Sequence, residues 1–178
     1  NNYDDLCFWR DPRNVDDSLV FVTSKSGPFV EVFRLATGQV LSRITGFVSP
    51  NNCDVTGDLL VTTDSHAGHK VLVHHIPDFR LVATLNQNFT NAQGVGVLHE
   101  GGRDLAFITD QDQMNVHVYD LATFQLVRIF PTGFLTHEGV SPDDLYHRVY
   151  ISDANSALVR AFSPTGTLLG EFGHPDVG

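Results

Sequence analysis

The chain has 178 residues, enough for one domain with a real core or for a block of small repeats. Its 11 Lys and Arg stand against 21 Asp and Glu, a net charge of −10 with His neutral. That balance argues against nucleic acid and anionic membranes, which are held by Lys and Arg neutralising phosphate, and suits cations or a substrate arriving with a bound cation. No segment approaches the roughly 18 uninterrupted apolar residues of a membrane span, and NNYDDLCFWR lacks the basic region and apolar core of a signal peptide.

Helical periodicity is almost missing. In chain order, SLVFVTS, FVEVFRL, DLLVTTD, KVLVHHI, DLAFITD, NVHVYDL, RVYISD and TLLGEF alternate apolar and polar residues between Gly, Pro, Asn and Asp, and predict strands. These strands repeat. Thr23, Thr109 and Ser152 each follow an apolar triplet and Thr63 takes the matching place in LLVTTD, at spacings of 40, 46 and 43. The next strand keeps register through Val30, Val71, Val116 and Val159, and the one after through Val40, Leu81, Leu126 and Leu168. The turn LATGQVL at 35–41 returns as LATFQLV at 121–127.

A period in the low forties with four strands per unit marks propeller blades. The expected fold is therefore all-β, a β-propeller of four-stranded antiparallel blades, one domain over 1–178 with blades at about 4–47, 48–88, 92–133 and 136–173. A short polar stretch opens each blade: DDLCFWRDP, SPNNCDVTG, QGVGVLHE and HEGVSPD. These are the expected innermost strands, where a propeller presents its functional groups. The tail EFGHPDVG reads as the opening of a fifth blade. Two arrangements stand open: four blades closing on themselves, or part of a six-bladed ring, whose unpaired faces would call for a second copy.

The innermost stretches carry a resemblance. DDLCFW (4–9), followed by SLVFVTSKSG, resembles the opening motif of the β-propeller phytases, in which two acids precede an aliphatic residue and a Trp and a Lys follows the next strand. NNCDV (51–55) is similar to that family's second motif, and THEGVSPDDLYHRVYIS to its third. The resemblance implies a calcium-dependent phosphomonoesterase acting on phytate or a similar phosphorylated small molecule, in an extracellular or periplasmic setting. It implies calcium ligation by Asp5, Glu138 and Asp153, a phosphate contact and catalytic role for Lys25, a catalytic role for Glu138, and structural roles for Asp4, Trp9, Asn51, Asn52 and Asp54. The residue types suit the chemistry, because calcium takes six to eight oxygen ligands and can activate water against phosphorus.

Departures accompany it. Gln111 stands where the family has a second Lys, Gln93 where it has a Tyr, and Ala154 where a second acid is expected, and TTDSHAGHK offers no phosphate-binding Arg. The rival expectation is a non-catalytic, truncated or diverged propeller that binds a ligand, metal or protein partner at its channel face.

Taken without the family, Asp4 and Asp5 read as a turn before a strand, and Asn51–Asn52 as turn-shaping residues. His74 and His75 are adjacent on a strand and face opposite ways, so packing accounts for them better than a metal site. Cys7 and Cys53 lie on neighbouring inner strands, where a disulfide and two buried thiols are both admissible. Asn88 opens a glycosylation sequon.

Overall fold

The computed structural model describes residues 2–65, 68–85 and 89–173. His66, Asn88 with its sequon, and the HPDVG tail fall outside these residues.

The strands form four separate antiparallel sheets, each a simple meander. Sheet 1 is β1 (Tyr3–Trp9), β2 (Leu19–Ser24), β3 (Phe29–Arg34) and β4 (Val40–Thr45). Sheet 2 is β5 (Pro50–Thr56), β6 (Leu59–Asp64), β7 (Lys70–His75) and β8 (Leu81–Leu85). Sheet 3 is β9 (Ala92–Glu100), β10 (Arg103–Asp110), β11 (Asn115–Asp120) and β12 (Gln125–Pro131). Sheet 4 is β13 (His137–Asp143), β14 (Arg148–Asp153), β15 (Leu158–Phe162) and β16 (Leu168–Gly173). Every expected strand is present within a residue or two of its expected ends. The chain divides into two compact units, Asn1–Asn86 with sheets 1 and 2, and Gln87–Gly178 with sheets 3 and 4.

The alternation decides which side chains enter each core. In unit 1, Trp9, Phe21, Val30 and Val32 of sheet 1 meet Leu60, Leu72 and Ile76 of sheet 2. In unit 2, Leu98, Leu105, Phe107 and Val118 of sheet 3 meet Val149, Ile151 and Phe162 of sheet 4. Phe21 and Phe107 are fully buried, each contributing about 1.5–3 kcal/mol relative to exposure. Cys7 and Cys53 form a disulfide inside the first of these cores, with Cα atoms 5.8 Å apart.

The turn before each fourth strand repeats as well. Gly38, Phe79, Phe124 and Gly166 all have positive φ (68°, 57°, 56° and 91°), at the same spacings as Val40, Leu81, Leu126 and Leu168. Each turn needs one left-handed residue to reverse the chain, which glycine supplies without steric cost. Two of the four use Phe instead.

Candidate functional site

The first two strands of every sheet share one irregularity. Tyr3 pairs with Ser24 and Leu6 with Val22, which leaves Asp4 and Asp5 opposite Thr23 alone. Pro50 pairs with Asp64 and Cys53 with Thr62, so Asn51 and Asn52 face Thr63. Gln93 and Gly94 face Thr109, and Glu138 and Gly139 face Ser152, in the same two-against-one manner. These are β-bulges, which bend a strand locally and re-aim its side chains. The four motif-bearing stretches are therefore one structural device at four places.

The repeated threonine holds the first three of these bulges. Thr23 Oγ1 accepts from the Asp5 amide at 3.0 Å, Thr63 Oγ1 from the Asn52 amide at 2.9 Å, and Thr109 Oγ1 from the Gly94 amide at 2.8 Å. Within each unit the same hydroxyl also donates to the next sheet. Thr23 bonds the Asn51 carbonyl, and Thr109 the Glu138 carbonyl at 3.2 Å. A hydroxyl that accepts one bond and donates another joins the two sheets through a single side chain. A Cβ on Gly94 would stand 1.9 Å from the Glu138 carbonyl oxygen, so only glycine fits there.

The register corrects one expectation. Asn51 and Asn52 lie within strand β5 as its bulge, not in a turn. By register, Glu138 is the counterpart of Asp4, and Asp5 that of Gly139.

Side-chain surroundings differ from bulge to bulge. Asp4 pairs with Lys25, Oδ1 to Nζ 2.9 Å, which places the expected phosphate contact in an ion pair. Asp5 turns Oδ2 toward sheet 2, where it accepts from the Cys53 amide at 3.0 Å. Trp9 is buried and its indole N–H donates to the Gly57 carbonyl at 2.9 Å. Asp54 accepts from the Val55 amide at 2.7 Å. In unit 2, Gln93 donates to Asn91 at 2.8 Å, and Asn91 in turn donates to Gln111 and Asp112. Glu138 is exposed. Ala154 occupies the position that Lys25 holds in sheet 1, so no cation answers Glu138 from there.

Asp153 belongs to a second repeated device. It immediately follows Ser152, as Asp64 follows Thr63 and Asp110 follows Thr109. Asp64 accepts from the amides of Val48 and Ser49. Asp110 accepts from the Thr90 amide and hydroxyl and the Asn91 amide. Asp153 accepts from the Thr136 amide at 3.0 Å, its hydroxyl at 2.6 Å, and the Ser156 amide at 3.0 Å. Burial alone would raise the Asp153 pKa, but the bonds from Ser156 and Thr136 outweigh it and hold the carboxyl below its ordinary value. Sequence reasoning missed this role, although the recurring Thr-Asp or Ser-Asp pair was its signal.

The histidines pack. His137 is fully buried, with Nδ1 2.9 Å from Thr132 Oγ1 and Nε2 3.0 Å from the Asp110 carbonyl, and burial lowers its pKa. His117 stacks on Phe89 with centroids 4.6 Å apart. His74 is buried, and desolvation holds its pKa at about 4. His75 faces the other way and lies 2.7 Å from the Asp78 carboxylate.

Calcium needs a cluster of oxygens that are free to coordinate. Within each unit taken by itself, the expected donors do not fit that demand. One Asp5 oxygen holds an amide, both Asp153 oxygens hold hydrogen bonds, and Asp4 faces an ammonium. Among the described residues no group of three or more His, Cys, Asp or Glu forms a metal site.

No family model and no curated protein matches the chain. Among solved structures it is similar to Kuenenia stuttgartiensis hydrazine synthase, with a TM-score of 0.78 at 16% identity. The match covers 97% of this chain and 49% of that one, so the chain spans about half the length of its structural neighbour. At such identity the likeness carries fold alone. Together with four antiparallel four-stranded sheets, it makes this chain an all-β protein built of β-propeller blades.

Proposed function

We propose that the chain is a non-catalytic β-propeller segment that binds a partner through the bulged starts of its first strands. The observation carrying this reading is the employment of Asp5 and Asp153, whose carboxylates hold backbone amides rather than standing free for a cation. The Lys25–Asp4 ion pair supports it, since a lysine engaged by a carboxylate is a weaker phosphate contact. Polar bulge side chains on a rigid sheet offer hydrogen-bonding groups without reactive ones.

A second reading keeps the phytase-like phosphomonoesterase, with calcium as cofactor and a phosphorylated small molecule as substrate. The exposed Glu138, with no cation at the Ala154 position, favours it. Phosphate release from phytate, measured with and without calcium on a folded sample, separates the two. Calcium-dependent release that Glu138→Gln abolishes would replace the binding reading with the enzymatic one. No release at any calcium level supports binding. The Cys7–Cys53 disulfide supports an extracellular or periplasmic setting, because such bonds persist where thiols are oxidised.

A further inference from the structure

Each sheet has two faces, and the same pair of faces meets in both units. In unit 1 the sheet 1 face with Trp9, Leu19 and Phe21 packs on the sheet 2 face with Cys53, Val55 and Leu60. In unit 2 the matching sheet 3 face, with Leu98, Leu105 and Phe107, packs on the sheet 4 face with Val140, Val149 and Ile151. The equivalence holds in detail. Gly96 and Val140 occupy the positions of Cys7 and Cys53, and a Cβ on Gly96 would lie 3.3 Å from Val140 Cγ1. One packing mode is used twice, the front face of one sheet against the back face of the next.

Sheet 1 also has a back face. Its register positions hold Leu6, Phe8, Val20, Val22 and Phe33, apolar at every place where sheet 4 uses Val140, Pro142, Val149, Ile151 and Phe162. Leu6 is 62% exposed and Phe8 65%. Sheet 4 likewise has a front face, where Tyr150 takes the place of Phe107 and Ala161 that of Val118. Phe172, 53% exposed, packs edge-on against Tyr150 at 6.0 Å. Between them lies an open groove of about 480 Å³ floored by Ala161 and Gly170.

We infer that these two faces meet between copies of the chain, the back face of sheet 1 in one copy seating on the front face of sheet 4 in another. The second copy is the occupant because the chain carries both halves of a contact it already makes twice, so the new interface continues an existing one. The buried charge on the sheet 1 face is already answered. On the sheet 1 face Glu31 is bonded by Tyr3 and Arg43, and on the sheet 4 face the Arg148 guanidinium lies over the Tyr146 ring, 5.8 Å from its centroid. Covering exposed Leu6, Phe8 and Phe172 supplies the apolar driving force. The contact is heterologous, with different patches on the two sides. It does not depend on whether the bulges bind or catalyse.

Light scattering on size-separated protein across a wide concentration range tests it. The expected mass is at least twice the 19.6 kDa of one chain, because a heterologous contact either closes into a ring or extends. Phe8→Glu and Phe172→Glu should each give the single-chain mass, and mixing them should restore the larger species, because each variant keeps the face that the other has lost. Both side chains are more than half exposed, so circular dichroism should be unchanged. Should Phe8→Glu misfold, Leu6→Lys takes its place. A single-chain mass at every concentration overturns the inference, whether the faces are then covered within one chain or by a different protein. So does a dimer that ignores both substitutions, or a mixture that fails to reassociate.

Discussion

The hydroxyl of Thr109 accepts the Gly94 amide at 2.8 Å and donates to the Glu138 carbonyl at 3.2 Å, so one side chain ties the bulge of sheet 3 to that of sheet 4. Thr23 does the same between Asp5 and Asn51. The motif residues are thus placed by a repeated hydroxyl.

Gly94→Ala should destabilise the protein by about 1–3 kcal/mol, the usual cost of forcing an extra carbon into a packed site. Its Cβ would press on the Glu138 carbonyl at 1.9 Å. Gly170→Ala is the control, since nothing lies within 4 Å of a Cβ there. Urea unfolding midpoints compare them, and equal midpoints would remove the close-approach argument.

Breaking the Cys7–Cys53 disulfide should cost about 4 kcal/mol, the chain-entropy value for a closed loop of this length. The cysteines are 46 residues apart. Thermal unfolding with and without reductant reads the difference. A Cys7→Ser and Cys53→Ser double variant should match the reduced protein and be insensitive to reductant.

Asp153 and Glu138 should behave oppositely. Removing the Asp153 carboxylate, as in Asp153→Ala, strands the half-buried Thr136 and Ser156 donors and should cost about 1–3 kcal/mol. Glu138→Gln should stay within about 0.5 kcal/mol of the parent, as exposed substitutions do. The folded-state pKa of Asp153 is lowered from 3.8, so its contribution is present above that value and lost as pH falls through the folded-state value. Asp153→Ala should therefore flatten the stability profile on the acid side, as followed by urea unfolding. A steepness equal to the parent's would refute the assignment.

His74 should make the protein acid-sensitive at a higher pH than its carboxylates do. Burial holds its pKa at about 4 against an ordinary 6.5, so the unfolded chain takes up a proton that the folded chain refuses. Stability should fall as pH drops from about 6.5 to about 4, by about 3 kcal/mol in all. His74→Gln should lose that slope.

The turn residue Phe124 has φ of 56° where the equivalent residue in the first sheet is Gly38. Phe124→Gly should relieve a left-handed strain of about 1–2 kcal/mol, offset by the packing of a half-buried ring. A net change near zero in melting temperature is expected, whereas Gly38→Phe should lower it.

The strands and their repeat were legible because alternation along a strand is a local property, and the spacing of Thr23, Thr63, Thr109 and Ser152 counts residues directly. The departures at Gln93, Gln111 and Ala154 were legible for the same reason. The bulges were not. A bulge is a mismatch between two strands, so Asn51–Asn52 read as a turn until pairing placed them within β5, and the match of Glu138 to Asp4 came only from the pairing. Asp153 looked like a free acid, since its partners Thr136 and Ser156 come from outside its strand.

By itself, then, the sequence determined an all-β chain of four-stranded repeats with polar starts to the first strands, since side-chain period and turn chemistry act over a few residues. Tertiary structure alone decided the disulfide, the threonine ties and the use of each carboxylate. Those depend on which amides and sulfurs two separately formed sheets bring within bonding distance, and residue order does not encode that separation.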